Sequence, residues 1–284
     1  MNSIASEMGR DVMLSLRSKA RNPKRQRRSS RQRDVQAPSR FERFLGWCVH
    51  GYTALGLVAA AMIAALVVRG GPESFGWSFL LMALATIVDS TDGTLARRVR
   101  IKEVVPDFDG RRLDDIIDFL NYTFLPILLI WRAELLPPGQ ESWLILPLLA
   151  SIYGFCQVKA KTDDGYFLGF PSLWNVVAFY LYVLPLGSWA CLAVIVVLAV
   201  LTFVPSKYLY PSQPGRLNQA ATILGAVWTV PLGWLIWSLP ASTTPRHDPS
   251  IQRLAVATLF YPVFYLGVSW IVTLNHWTRP SPER

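Results

Sequence analysis

The chain has 284 residues, 52% of them apolar and 17% charged, with a formal net charge of +9 and a mean hydropathy of +0.30. Its apolar residues fall in long blocks rather than at amphipathic spacing, which excludes an ordinary soluble domain and predicts an all-α, polytopic membrane protein. The placement of the positive charge excludes nucleic acid as the partner, and the three cysteines (Cys48, Cys156, Cys191) and three histidines (His50, His247, His276) show neither metal-ligand nor disulfide spacing.

Residues 1–44 form a basic zone with twelve of the 28 Lys/Arg residues and nothing from which to build a core. Disorder is the expectation there, in a cytoplasmic tail. No apolar core precedes residue 45, so the zone does not read as a secretory signal. It is expected to act as a solvated topogenic tail, with adhesion to anionic lipid headgroups as the other reading.

Residues 45–276 then read as a membrane domain, followed by a short cytoplasmic tail over 277–284. About eight spans are expected, each near the ~20 residues that cross a bilayer. They lie at about 45–68, 75–96, 114–132, 143–160, 172–187, 188–206, 219–239 and 254–275. With the N-terminus inside, 24 Lys/Arg fall on the cytoplasmic side and four (Arg69, Arg132, Arg246, Arg253) outside. That asymmetry predicts N-in and C-in.

The turn between the second and third spans carries the chemistry. Asp89-Ser-Thr-Asp92-Gly93-Thr-Leu-Ala96-Arg97 is followed, after twelve residues, by Gly110-Arg-Arg-Leu-Asp114-Asp-Ile-Ile-Asp118. The pairs Asp89/Asp92 and Asp114/Asp118 each share one face of a helix. Carboxylates at membrane depth cost on the order of 2.5–3.5 kcal/mol each, and four together repel. Mg2+ or Mn2+, which prefer oxygen ligands and bind alongside substrate phosphates, would offset that repulsion; two ions are expected. Gly93 leaves room for a ligand at the backbone, Ala96 keeps the face shallow, and Arg97 supplies a bidentate cation for a phosphate. Together these groups describe a site for a diphosphate. Asp107 and Asp109 read as loop carboxylates, and Asp115 points away from Asp114.

The pattern D-x2-D-G-x2-A-R … G-x3-D-x3-D resembles the signature of the CDP-alcohol phosphatidyltransferases, with all eight signature residues present over about 30 positions. The twelve-residue spacer exceeds the eight or nine common in that family. Together with the eight-span layout, it resembles the bacterial branch that joins choline directly to CDP-diacylglycerol, giving phosphatidylcholine and CMP. The continuation Asp118-Phe-Leu-Asn-Tyr122 and the segment Lys161-Thr-Asp-Asp-Gly-Tyr-Phe-Leu-Gly-Phe-Pro171 are also similar to that branch. The resemblance implies that Asp89, Asp92 and Asp114 hold the metal, with Asp118 a further metal ligand, the general base, or both. It implies that Gly93, Ala96, Arg97 and Gly110 accommodate the cytidine diphosphate. It further implies a homodimer in a bacterial inner membrane, and the N-in orientation read from the charge count puts the active site on the cytoplasmic face.

The signature is shared by enzymes that use serine, glycerol phosphate or inositol phosphate. A quaternary ammonium wants aromatic faces and acidic groups, and these are offered by Tyr122, Asp163, Asp164, Tyr166 and Trp174. A cation transporter is the alternative of a different class, but the carboxylates gather at one cytoplasmic turn rather than at mid-bilayer.

Overall fold

The computed structural model describes residues 38–158, 162, 164–211 and 213–278. The chain divides into two units, Met1–Arg43 and Phe44–Arg284. Most of the basic tail, Lys159, Lys161 and the candidate Asp163 lie outside the described residues. In the first unit, Ser39 and Glu42 form a reciprocal capping box: the Ser39 amide donates to Glu42 Oε2 at 2.8 Å and the Glu42 amide to Ser39 Oγ at 3.2 Å. That pair satisfies two of the amides left over at a helix start, and helix α1 (Arg40–Arg69) begins there.

The buried residues of α1 include Val49, Thr53, Gly56, Ala60, Ile63 and Val67, an i+3/i+4 stripe that packs inward. Gly70 and Gly71 follow with φ of 73° and 88°, and Pro72 opens α2 (Pro72–Arg98). The left-handed glycines supply the tight reversal, and proline suits the first helical turn. A short α3 (Ile101–Val104) lies in the twelve-residue spacer. Asp109 then caps α4 (Gly110–Asp118) by accepting from the Arg112 amide at 3.1 Å.

Beyond Asp118 the helix widens into a π turn over Phe119–Phe124 and resumes as α5 (Leu125–Arg132). Pro126 has no N–H to return to the Tyr122 carbonyl, and the Leu125 amide reaches back five residues to Leu120 instead. A proline just inside a helix commonly forces such an adjustment, and π turns gather at functional sites.

The rest is α6 (Ile145–Cys156), α7 (Trp174–Val183), α8 (Ser188–Phe203), α9 (Arg216–Ser238), α10 (Pro249–Thr258) and α11 (Phe260–Thr278). At the α10/α11 junction Pro262 cannot bond the Thr258 carbonyl, and the Tyr180 hydroxyl donates to it at 3.2 Å.

Among the described residues, four helical stretches are long and apolar enough to cross a membrane: Arg40–Arg69, Pro72–Arg98, Arg216–Ala241 and Pro249–Thr278. They overlap the first, second, seventh and eighth expected spans. The apolar stretches Glu141–Cys156, Trp174–Val183 and Ser188–Phe203 are helical but shorter. Large apolar side chains such as Val68, Val230, Trp234 and Trp237 face outward, as lipid-facing residues do. This is a membrane protein.

One feature departs from the all-helical expectation. β1 (Tyr166–Leu168) pairs antiparallel with β2 (Lys207–Leu209), with Phe167 opposite Tyr208. The far edge of β2 meets hydroxyls of α11 rather than a third strand. Thr273 Oγ1 accepts from the Lys207 amide at 2.8 Å, Ser269 Oγ accepts from the Leu209 amide at 3.1 Å, and the Tyr265 hydroxyl donates to the Leu209 carbonyl at 3.0 Å. Three hydroxyls at i+4 spacing on a helix thus stand in for a neighbouring strand, a need no helical period announces.

Candidate metal and diphosphate site

The cavity that holds the acidic motif is walled by three helices. Thr53 and Gly56 come from α1, and Ala85, Val88, Asp89 and Asp92 from α2. Asp114, Ile117 and Asp118 come from α4, and Asn121 and Tyr122 from the π turn. Gly56 makes the approach of α1 possible, since a Cβ there would lie 2.6 Å from Ile117 Cγ2. Asp114, Asp118 and Tyr122 follow one another at i+4, so the α4 face and the wider π turn carry all three to the same side.

Asp89, Asp114 and Asp118 each place a carboxylate oxygen within 4.8 Å of the others. Two like charges at that separation repel by about 3–4 kcal/mol at an effective dielectric of 20. Asp92 lines the same cavity and is 6% exposed. The Tyr122 hydroxyl donates to Asp89 Oδ2 at 2.8 Å, which fixes one carboxylate of the three. Every donor atom in this set is oxygen, the ligand type that hard divalent cations take, so the residues present fit the expected metal.

The remaining motif residues fall at the rim. Gly93 leaves open space: the nearest neighbour of an added Cβ would be Arg97 Nη1 at 3.4 Å. Arg97 is exposed, with Nη2 donating to Thr94 Oγ1 at 3.0 Å, and Ala96 is half-buried beside it. Gly110 serves packing as well, because a Cβ there would lie 2.5 Å from His50 Cε1. Asp107, Asp109 and Asp115 are exposed, and Asp109 holds the α4 cap and an ion pair with Arg112 at 3.8 Å.

The four described acceptor-site candidates do not gather in one place. Tyr122 lines the carboxylate cavity. Asp164 and Tyr166 instead surround Lys207, whose Nζ lies 2.5 Å from Asp164 Oδ2 and 5.5 Å from the Tyr166 ring centroid. Partial burial pushes the Asp164 carboxyl up, but the Lys207 and Thr162 hydrogen bonds outweigh it and hold it below the usual carboxylate range. Trp174 needs correction as a ligand-facing ring: it is 0% exposed, packs edge-on against Phe170, and spends its indole N–H on Ser151 Oγ at 2.9 Å. Asp163 lies outside the described residues.

Sequence reasoning missed the contribution of α1. Thr53 and Gly56, with His50 and Gly46 on the same buried stripe, interrupt an apolar block, a local sign that this face meets something other than lipid.

A family model for CDP-alcohol phosphatidyltransferases matches residues 51–205. A phosphatidylcholine synthase of Pseudomonas aeruginosa is 40% identical over 196 residues, covering 69% of this chain and 81% of the relative. One from Borreliella burgdorferi is 34% identical over 223 residues, 78% of this chain and 94% of the relative. A third, from Bradyrhizobium diazoefficiens, is 36% identical over 203 residues, 70% and 74% of the two chains.

Proposed function

Because the chain belongs to the CDP-alcohol phosphatidyltransferase family, we propose that it is a phosphatidylcholine synthase, transferring the phosphatidyl group of CDP-diacylglycerol to choline and releasing CMP. The observation that carries the reading is the convergence of Asp89, Asp114 and Asp118 within 4.8 Å in a cavity also lined by Asp92. Relatives named phosphatidylcholine synthase support the choice of alcohol.

In this reading Asp89, Asp92, Asp114 and Asp118 hold two divalent ions, Mn2+ or Mg2+. When bound, the ions neutralise charge on the diphosphate and make CMP a better leaving group. The chain's residues do the rest. Asp118 takes the proton of the attacking choline hydroxyl, which is a poor nucleophile while protonated at neutral pH. Tyr122 holds Asp89 in place and offers its ring beside the carboxylates to the quaternary ammonium. Gly93 and Ala96 leave space for the cytidine diphosphate, with Arg97 as its phosphate clamp and Gly110 closing the loop behind it. Asp164 and Tyr166 are committed to Lys207 inside the chain. They serve as a preformed ammonium site only if that lysine is displaced.

The layout proposed is eight membrane crossings, N-in and C-in, in a bacterial inner membrane with the cavity facing the cytoplasm. It comprises a basic tail over 1–44, a catalytic domain over 45–276, a short tail over 277–284 and a homodimer. The cytoplasmic excess of Lys/Arg supports the orientation.

The test is direct. Purified protein in detergent, given labelled CDP-diacylglycerol and Mn2+, releases CMP when choline is added. Release with serine, glycerol phosphate or inositol phosphate but not with choline overturns the acceptor. No release with any alcohol from folded protein overturns the transferase and favours a cation transporter.

A further inference from the structure

Asn121 stands three residues past Asp118 in the π turn and is 3% exposed. Its amide nitrogen donates twice, to the Gly56 carbonyl of α1 at 3.0 Å and to the Ile117 carbonyl at 3.1 Å. Its amide oxygen is fully buried and receives no hydrogen bond from any described residue. Asn121 lines the same cavity as Asp89, Asp92, Asp114 and Asp118.

A buried acceptor left unpaired costs about 1–3 kcal/mol. The amide cannot relieve this by turning over, because Oδ1 would then face two carbonyl oxygens. Nor does either hydroxyl lining the cavity serve it: the Thr53 hydroxyl is directed to the Val49 carbonyl at 3.4 Å, and the Tyr122 hydroxyl is committed to Asp89. An unpaired acceptor thus belongs to a residue that lines the carboxylate cavity, and a cation, with its water, would satisfy it.

We propose that Asn121 is a further oxygen donor of the divalent-cation site, its Oδ1 meeting the ion directly or through one bound water. The role suits an amide: it adds an oxygen without adding a fifth charge to a site already crowded with them. Its nitrogen, pinned to α1 and to α4, fixes the direction of the oxygen, as outer partners fix metal ligands elsewhere. The inference rests on reading the aspartates as a metal site.

The experiment is a Mn2+ titration of the full chain in detergent without substrate, following free Mn2+ by its electron paramagnetic resonance. Asn121→Ala is expected to weaken Mn2+ binding about 10–100-fold. Asn121→Asp loses the same two donated hydrogen bonds but keeps an oxygen, and is expected to hold Mn2+ at least as tightly as the unaltered chain. Metal-free melting should fall in both variants, since both lose the tie to Gly56 and Ile117, and further in Asn121→Asp, which adds a fifth charge that only the ion offsets. Equal weakening of Mn2+ binding in both would assign Asn121 a purely structural role and overturn the proposal, as would undiminished binding in Asn121→Ala. Absence of Mn2+ binding in the unaltered chain would overturn the metal reading itself, and this inference with it.

Discussion

The Tyr122 hydroxyl donates to Asp89 Oδ2 at 2.8 Å, joining the π turn to α2 across the acidic cavity. Partners of this kind orient a ligand without touching the ion, and removing one typically costs 10–100-fold in metal affinity or activity. Tyr122→Phe keeps the ring and deletes the donor. We expect the Mn2+ concentration needed for half-maximal CMP release to rise about 10-fold, with melting little changed. An unchanged Mn2+ dependence would remove the hydrogen bond from the mechanism.

Asp114 and Asp109 are five positions apart on either side of the α4 start and serve different ends. Asp114→Ala takes away one of the three convergent carboxylates and is expected to abolish CMP release. Asp109→Ala removes a helix cap, worth about 1 kcal/mol, and an exposed ion pair of little value. It should melt a few degrees lower and keep most of its turnover. Equal activity in the two would take Asp114 out of the site.

Two glycines, one packing α1 against α4 and one in the motif, separate folding from binding. Gly56→Val sets a side chain against Ile117, where a Cβ already lies 2.6 Å away. Overpacking of that sort costs about 1–3 kcal/mol and spreads α1 from α4, so melting and activity should fall together. Gly93→Ala meets nothing nearer than 3.4 Å, so the protein should melt normally while KM for CDP-diacylglycerol rises. A normal KM in Gly93→Ala would show that the open space is not used by substrate.

Trp174 fills the core. Trp174→Ala is expected to cost about 3–5 kcal/mol, whereas Trp174→Phe should lose less and leave KM for choline unchanged. A choline KM that rises in Trp174→Phe, in protein that melts normally, would restore a direct role for this ring.

The Asp164–Lys207 pair predicts a pH effect away from the cavity. The folded-state value of Asp164 is lowered by Lys207 and Thr162 despite partial burial. Its contribution is therefore fully present above the unfolded aspartate value near ~3.9 and is lost as pH falls through the lowered folded value. Hydrogen exchange of β1 should quicken over that acidic window in the unaltered chain. In Asp164→Asn it should already be fast at neutral pH and insensitive to the window.

The acidic signature was legible because its chemistry is local. Asp89 to Arg97 and Gly110 to Asp118 keep their spacing whatever the rest of the chain does, and two helical pairs of carboxylates are costly without a cation. The long apolar blocks of α1, α2, α9 and α10–α11 were legible for a similar reason, since length and hydropathy are properties of a segment. The shorter helices carry weaker signals, and their ends depend on which neighbours cover them.

What the tertiary structure decided depends on residues far apart in the chain. Only folding shows that Gly56 admits Ile117, that Asn121 is tied to α1 with its oxygen unpaired, and that Tyr122 is bonded to Asp89. Only folding turns Trp174 into the core and gives Asp164 and Tyr166 to Lys207, because an aromatic or acidic residue reads the same in sequence whether it faces a ligand or another side chain. By itself the sequence determined a membrane transferase of this family and the residues of its acidic site. The fold decided which of those residues converge, since distances between helices follow from side-chain packing rather than from spacing along any one of them.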